Sequence, residues 1–306
     1  MNSNLTPIFA GAAAGLAAAL LSVGSVAQNA LSITLFILSP MPIMIAALGW
    51  GPVAGFASVA ICGLSIWQYA GVMPALIIAA TTAVPSAIAT YLAGMARHGD
   101  GRAEWYPLSS ILLTLTICVA AGFVVVGFLI GFNEEYARTL GVEMVKTLAE
   151  ADPQFALNPA STIALANMIV KVIPFLQPAS WTLVLVLNFW GALHIARRSG
   201  LLQRPTDDFP TSLSMPWLAL PLFTLAVAGS FLSGSPGLIP LCFAGALAMG
   251  FTIAGFAKFH AITRGKSWRT AALSMGYFTV LTIGFPALFF LFAGLFAASK
   301  NTAKSG

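Results

Sequence analysis

Leu5 to Ala27 reads LTPIFAGAAAGLAAALLSVGSVA, and it opens a stretch without a single Asp, Glu, Lys, Arg or His that ends only at Arg97. A water-exposed surface needs polar cover, and soluble domains are about 25% charged. This chain of 306 residues is 8% charged and 58% apolar, with a mean hydropathy of +0.91. The composition excludes an ordinary soluble domain and points to an all-α bundle in lipid, where each segment must satisfy its own backbone.

A helix needs about 20 apolar residues to cross the hydrocarbon core, so four crossings fit before Arg97. Turn chemistry places the breaks at Gln28 to Ser32, at Gly49-Trp50-Gly51-Pro52 and at Ala70-Gly71-Val72-Met73-Pro74. The expected spans are 5–27, 31–48, 53–70 and 74–96, and a fifth is 107–131. Residues 132–160 then hold five acids, Glu134, Glu135, Glu143, Glu150 and Asp152, with Arg138 and Lys146. Asn133 can cap a helix there whose apolar residues, Leu140, Met144 and Leu148 among them, recur at helical spacing. It reads as an amphipathic surface helix ended by Asp152-Pro153. A more apolar helix follows Asn158-Pro159 and stops before Pro174. Later spans are expected at 178–196, 215–233, 237–258 and 271–297, which makes nine, or eight if Pro286 turns the last segment back into the membrane.

Loops 97–106, 197–213 and 258–270 hold nine of the 14 Lys and Arg residues, and parity puts them on one side. The positive-inside rule makes that side the cytoplasm, with a cytoplasmic amino terminus and the 132–177 segment outside. A pI near 9.3 and short basic loops facing anionic lipid fit a multi-pass protein of a bacterial inner membrane. The bases form no patch that would grip nucleic acid. The first span reads as uncleaved despite Ser25-Val26-Ala27, because no Lys or Arg precedes it and its apolar run exceeds a signal core.

The chain has no phosphate-binding Gly-Lys-Ser/Thr loop, no His-Glu-x-x-His and no Gly-x-Ser-x-Gly elbow. Cys62, Cys118 and Cys242 each fall inside an expected span with no paired spacing, and His98, His194 and His260 stand beside the basic loops. No enzyme, metal or cofactor is expected. Two small-residue ladders mark the first span, Ala10, Ala14, Ala18 and Gly11, Gly15, Ala19, which let another helix approach closely. That helix belongs to the chain's own bundle or to a partner membrane subunit. Polar residues at depth each need a partner, water or a ligand, and Gln68, Asn167, Lys171, Gln177, Trp181 and Asn188 form the candidate substrate-binding set. Pro40, Pro42, Pro85, Pro174 and Pro178 each free a backbone carbonyl inside or beside a span, and discontinuous helices around a cavity are a habit of transporters.

Phe9-Ala10-Gly11-Ala12-Ala13-Ala14-Gly15, Leu38-Ser39-Pro40-Met41-Pro42, Glu104-Trp105-Tyr106-Pro107, Asn188-Phe189-Trp190 and Gly255-Phe256-Ala257-Lys258-Phe259-His260 together resemble the YybS-like family of bacterial multi-span proteins. That family is distantly similar to the S components of energy-coupling-factor (ECF) transporters, six-helix bundles whose first-helix ladder meets a coupling subunit. The resemblance implies a bundle over 1–197, three added helices over 198–306, and a partner face at Ala10, Ala14 and Ala18. The functional expectation is a transporter-type protein without its own ATPase that binds or moves a small apolar or amphipathic molecule in an outward cavity capped by 132–177. The alternative is an adaptor that docks partner proteins on the first helix.

Overall fold

The computed structural model describes residues 5–24, 30–99, 102–151 and 159–302. The expected break at Gln28, the Ser25-Val26-Ala27 triplet and the turns at Asp152-Pro153 and Asn158 lie outside or at the edge of these residues.

The charge-free third folds as its hydropathy dictates. α1 (Thr6–Val23) is followed by α2 (Ala30–Leu38) and α3 (Pro40–Trp50), two pieces of one span broken at Ser39. Pro40 lacks the N–H that would continue α2, so the ladder restarts there. α4 (Pro52–Ala70) begins and ends at positive-φ glycines, Gly51 and Gly71. The fourth span comprises α5 (Val72–Ile78), a five-residue π segment (Ala79–Ala83) and α6 (Val84–Ala93). The polar loop beyond it is an antiparallel hairpin of β1 (Ala96–Gly99) and β2 (Arg102–Trp105), with Arg97 opposite Glu104.

α7 (Leu108–Leu129) follows Pro107. α8 (Glu134–Ala151) is the expected amphipathic helix, and Asn133 caps it by accepting from the Tyr136 N–H at 2.8 Å. α9 (Pro159–Arg198) corrects the expected pair of helices, since it runs unbroken for 40 residues with Pro174 and Pro178 inside it. The prolines remove two backbone donors without ending the helix, as lipid-embedded helices tolerate when neighbours support them.

After the one-turn α10 (Phe209–Ser212), α11 (Ala219–Gly229) has 11 residues, far short of the expected 215–233 span. Pro221 cannot donate to the Trp217 carbonyl, so the helix cannot extend back, and the turn at positive-φ Gly234 closes its far side. α12 (Leu238–Ile262), α13 (Arg269–Ile283) and α14 (Ala287–Thr302) complete the chain. α13 and α14 are bent by 118° at Gly284-Phe285-Pro286. Among the described residues, seven helices are long and apolar enough to cross a membrane, or eight if the bent pair is one span, rather than nine.

α12 is the central element, 72% of its apolar window being buried. One core cluster joins Leu115 of α7, Leu185 and Leu193 of α9 and Leu247 and Phe251 of α12. Close backbone approaches at glycines fix the neighbours: Gly245 lies against the Phe175 carbonyl, Gly255 against that of Phe290, and Gly294 against that of Phe251. The last two pairs run in opposite order, so α14 is antiparallel to α12. Leu20, Leu187, Leu225, Leu281 and Phe289 are more than half exposed, the apolar outer surface that a helix bundle turns to lipid.

Candidate functional site

Two ends of the bundle can be told apart by chemistry. At one end, Arg204 is 4% exposed, pairs with Asp207 through two oxygens at 2.6 and 2.9 Å, and donates to the carbonyls of Tyr106 at 2.8 Å and Ala93 at 3.3 Å. Asp208 binds Arg264 through two bonds of 2.7 and 2.8 Å. These contacts hold the three basic loops together. The Arg264 guanidinium, then the Thr211 hydroxyl, lower the Asp208 carboxyl to a pKa of about 2. A cleft of about 260 Å³ beside them is lined by Trp190, His194, Arg197 and Asp207.

The opposite end holds a larger, more apolar cavity of about 590 Å³, open on one side, formed by the last turns of α7, the start of α8, α9 around Pro174 and the start of α12. Its wall includes Phe123, Gly127, Phe128, Tyr136, Leu140 and Ile239, and its polar side chains are Gln177, Tyr136, Ser235 and Cys242. The volume is within the roughly 300 to 1,000 Å³ of small-molecule sites. Positive-φ Gly131 turns the chain from α7 into α8. Gly141 then lets α8 settle onto α9, where a Cβ would stand 2.9 Å from the Ala166 Cα. The amphipathic helix thus forms one wall of the cavity.

The structure separates the six sequence candidates. Gln177 lines the cavity. Lys171 and Asn167 are exposed on α9, one and two turns beyond Pro174, and Gln68 is exposed near the end of α4, away from the cavity. Trp181 and Asn188 are engaged with backbone. The Trp181 indole donates to the Thr81 carbonyl at 2.9 Å and its ring lies 5.2 Å from that of Phe36. Asn188, 2% exposed, donates to the carbonyls of Ile37 at 2.9 Å and Val184 at 2.8 Å. The Thr81 carbonyl lies in the π segment four residues before Pro85 and that of Ile37 in the last turn of α2 before the break at Ser39, so α9 reaches two irregular stretches with side chains seven residues apart.

On the first helix, Gly11, Gly15, Ala18 and Ala19 are buried while Ala10 and Ala14 are half-buried. A Cβ at Gly11 would lie 2.5 Å from the Ala54 oxygen, and one at Gly15 would lie 2.6 Å from that of Ser58, so the ladder packs against α4. The pairs run in the same order and the two helices are parallel.

Sequence reasoning missed the cavity's aromatic and glycine wall because Phe123, Gly127 and Phe128 look like any other residues of an apolar span. It also missed Arg204 as the tie between loops. The one available signal was the Arg204-to-Asp207 spacing in an otherwise charge-poor chain. Set against known proteins, the chain matches no family model, no curated protein and no solved structure.

Proposed function

We propose that this is a multi-pass bacterial inner-membrane protein of transporter type that binds a small apolar or amphipathic molecule in the cavity between α7, α8, α9 and α12, with no ATPase of its own. The observation that carries the reading is the cavity itself: about 590 Å³, open on one side, walled by apolar and aromatic residues, and roofed in part by an amphipathic helix. With the basic loops in the cytoplasm, the amino terminus is cytoplasmic and the cavity opens on the outer side. Binding is favoured over catalysis because the wall offers Gln177, Ser235, Tyr136 and Cys242 and, among the described residues, no carboxylate or histidine.

The adaptor alternative is the weaker reading, since Gly11 and Gly15 seat one ladder on α4 and Ala18 of the other is buried, leaving only Ala10 and Ala14 half-buried. The likeness to YybS-like proteins and S components is kept as part of the proposal, with a coupling subunit as its implied partner. The test is mass spectrometry of small molecules that copurify with the wild-type chain and with Gly127→Leu, whose new side chain enters the cavity. A species bound by the wild type and lost from the folded variant supports the reading; an identical profile in both rejects it.

A further inference from the structure

Three helices place the cavity at one depth. Counted from their ends at the basic loops at 1.5 Å per residue, Phe123 to Phe128 of α7 lie about 22 to 30 Å away, Ile173 to Gln177 of α9 about 31 to 38 Å, and Leu238 to Cys242 of α12 about 30 to 36 Å. A hydrocarbon core is about 30 Å thick. With the basic loops at one interface, the cavity straddles the boundary between acyl chains and head groups at the other.

Lys171 stands just beyond it. It precedes Arg198 by 27 residues, about 40 Å of helix, which puts its ammonium at head-group level. It lies one turn from Pro174 of the cavity wall, with Asn167 a further turn out, and residues three and four apart share a helix face. Lys171 is exposed and has no ion-pair or hydrogen-bond partner among the described residues. The exposed acids of α8, Glu135, Glu143 and Glu150, make no ion pair with it. Among the described residues, the cavity wall contains no charged side chain. An uncharged cleft at acyl depth, with an unpaired cation one turn above it, matches a molecule that is apolar along its length and anionic at one end.

We infer that the ligand is a long-chain amphiphile with a carboxylate or phosphate head, its chain in the α7–α8–α9–α12 cavity and its head at Lys171. This rests on the cavity being the binding site, as proposed above. The open side lets such a molecule enter from the outer leaflet without leaving the membrane, and Gln177 offers an amide donor between head and chain.

The test uses the full chain in nanodiscs of zwitterionic phospholipid and three probes: a fluorescent long-chain fatty acid, the alcohol of the same chain length, and a polyprenyl phosphate as competitor. The anionic probes should bind about tenfold more tightly than the alcohol. Lys171→Gln should remove that advantage and leave alcohol binding unchanged, while Lys171→Arg preserves it; the better anionic competitor identifies the head group. Equal affinity of acid and alcohol for the wild type, or an equal loss of both in Lys171→Gln, overturns the anionic head while the cavity stands. Binding of all three probes undiminished by Gly127→Leu overturns the cavity and with it the proposal.

Discussion

The indole N–H of Trp181 donates at 2.9 Å to the carbonyl of Thr81, the residue four before Pro85. In an α-helix the residue at 85 would supply that donor, and proline has none to give. Side-chain chemistry on α9 therefore completes the backbone of the fourth span within its π segment at Ala79–Ala83. The pairing predicts a coupled energy. Trp181→Phe should lower unfolding stability by about 1 kcal/mol, and Pro85→Ala should reduce that loss by restoring a backbone donor. Thermal unfolding of the two single variants and the double variant measures the coupling; additive effects would mean that the bond carries no weight.

Arg204 is the second structural tie. Removing a buried charge that serves a carboxylate and two carbonyls leaves Asp207, Tyr106 and Ala93 without their donor, a loss of about 3 kcal/mol. Arg204→Ala should drop the melting temperature sharply, and Arg204→Lys should fall between, because an ammonium cannot reproduce the two-oxygen fork. An unchanged melting curve for Arg204→Ala would show that the basic loops are held by other means.

Asp208 makes a pH-dependent contact. Its carboxyl is lowered to about 2 by Arg264, so the folded state binds its proton later than the unfolded chain does. The contact stabilises the fold fully above the ordinary carboxylate range near 4 and loses that contribution as pH falls toward 2. The stability difference between wild type and Asp208→Asn should be constant from neutral pH to about 5 and vanish below about 2. A difference that grows on acidification would reverse the assigned sign.

Gly141 controls the wall of the cavity. A valine there meets the Ala166 backbone, so Gly141→Val should lift α8 from α9, raise proteolysis of the 134–151 helix and abolish small-molecule retention. Gly127→Leu should lose the small molecule without the added proteolysis. Intact retention in Gly141→Val would show that α8 does not enclose the site.

Much of this fold follows from hydropathy alone. A segment such as Leu108–Leu129 has no alternative to crossing, and Asn133 announced the start of α8 by ordinary capping chemistry. Prolines misled at Pro174 and Pro178, because a proline reads as a break in water, whereas α9 continues through both. At α11 the opposite happened: an apolar run suggested a full span, but Pro221 and Gly234 trimmed it. Gln177 was legible as a polar residue at the edge of an apolar span, and it lines the cavity. The other cavity residues were not, since only tertiary packing decides whether Phe123 faces lipid or a cavity.

An experimental density map of the wild-type protein in a lipid nanodisc bears most directly on the ligand cavity. The expected result is elongated density between Phe128 of α7 and Ile239 of α12, beneath Tyr136 of α8 and reaching the level of Lys171. A cavity collapsed onto its own side chains, with α8 still packed on Ala166 and no density between the helices, would contradict it.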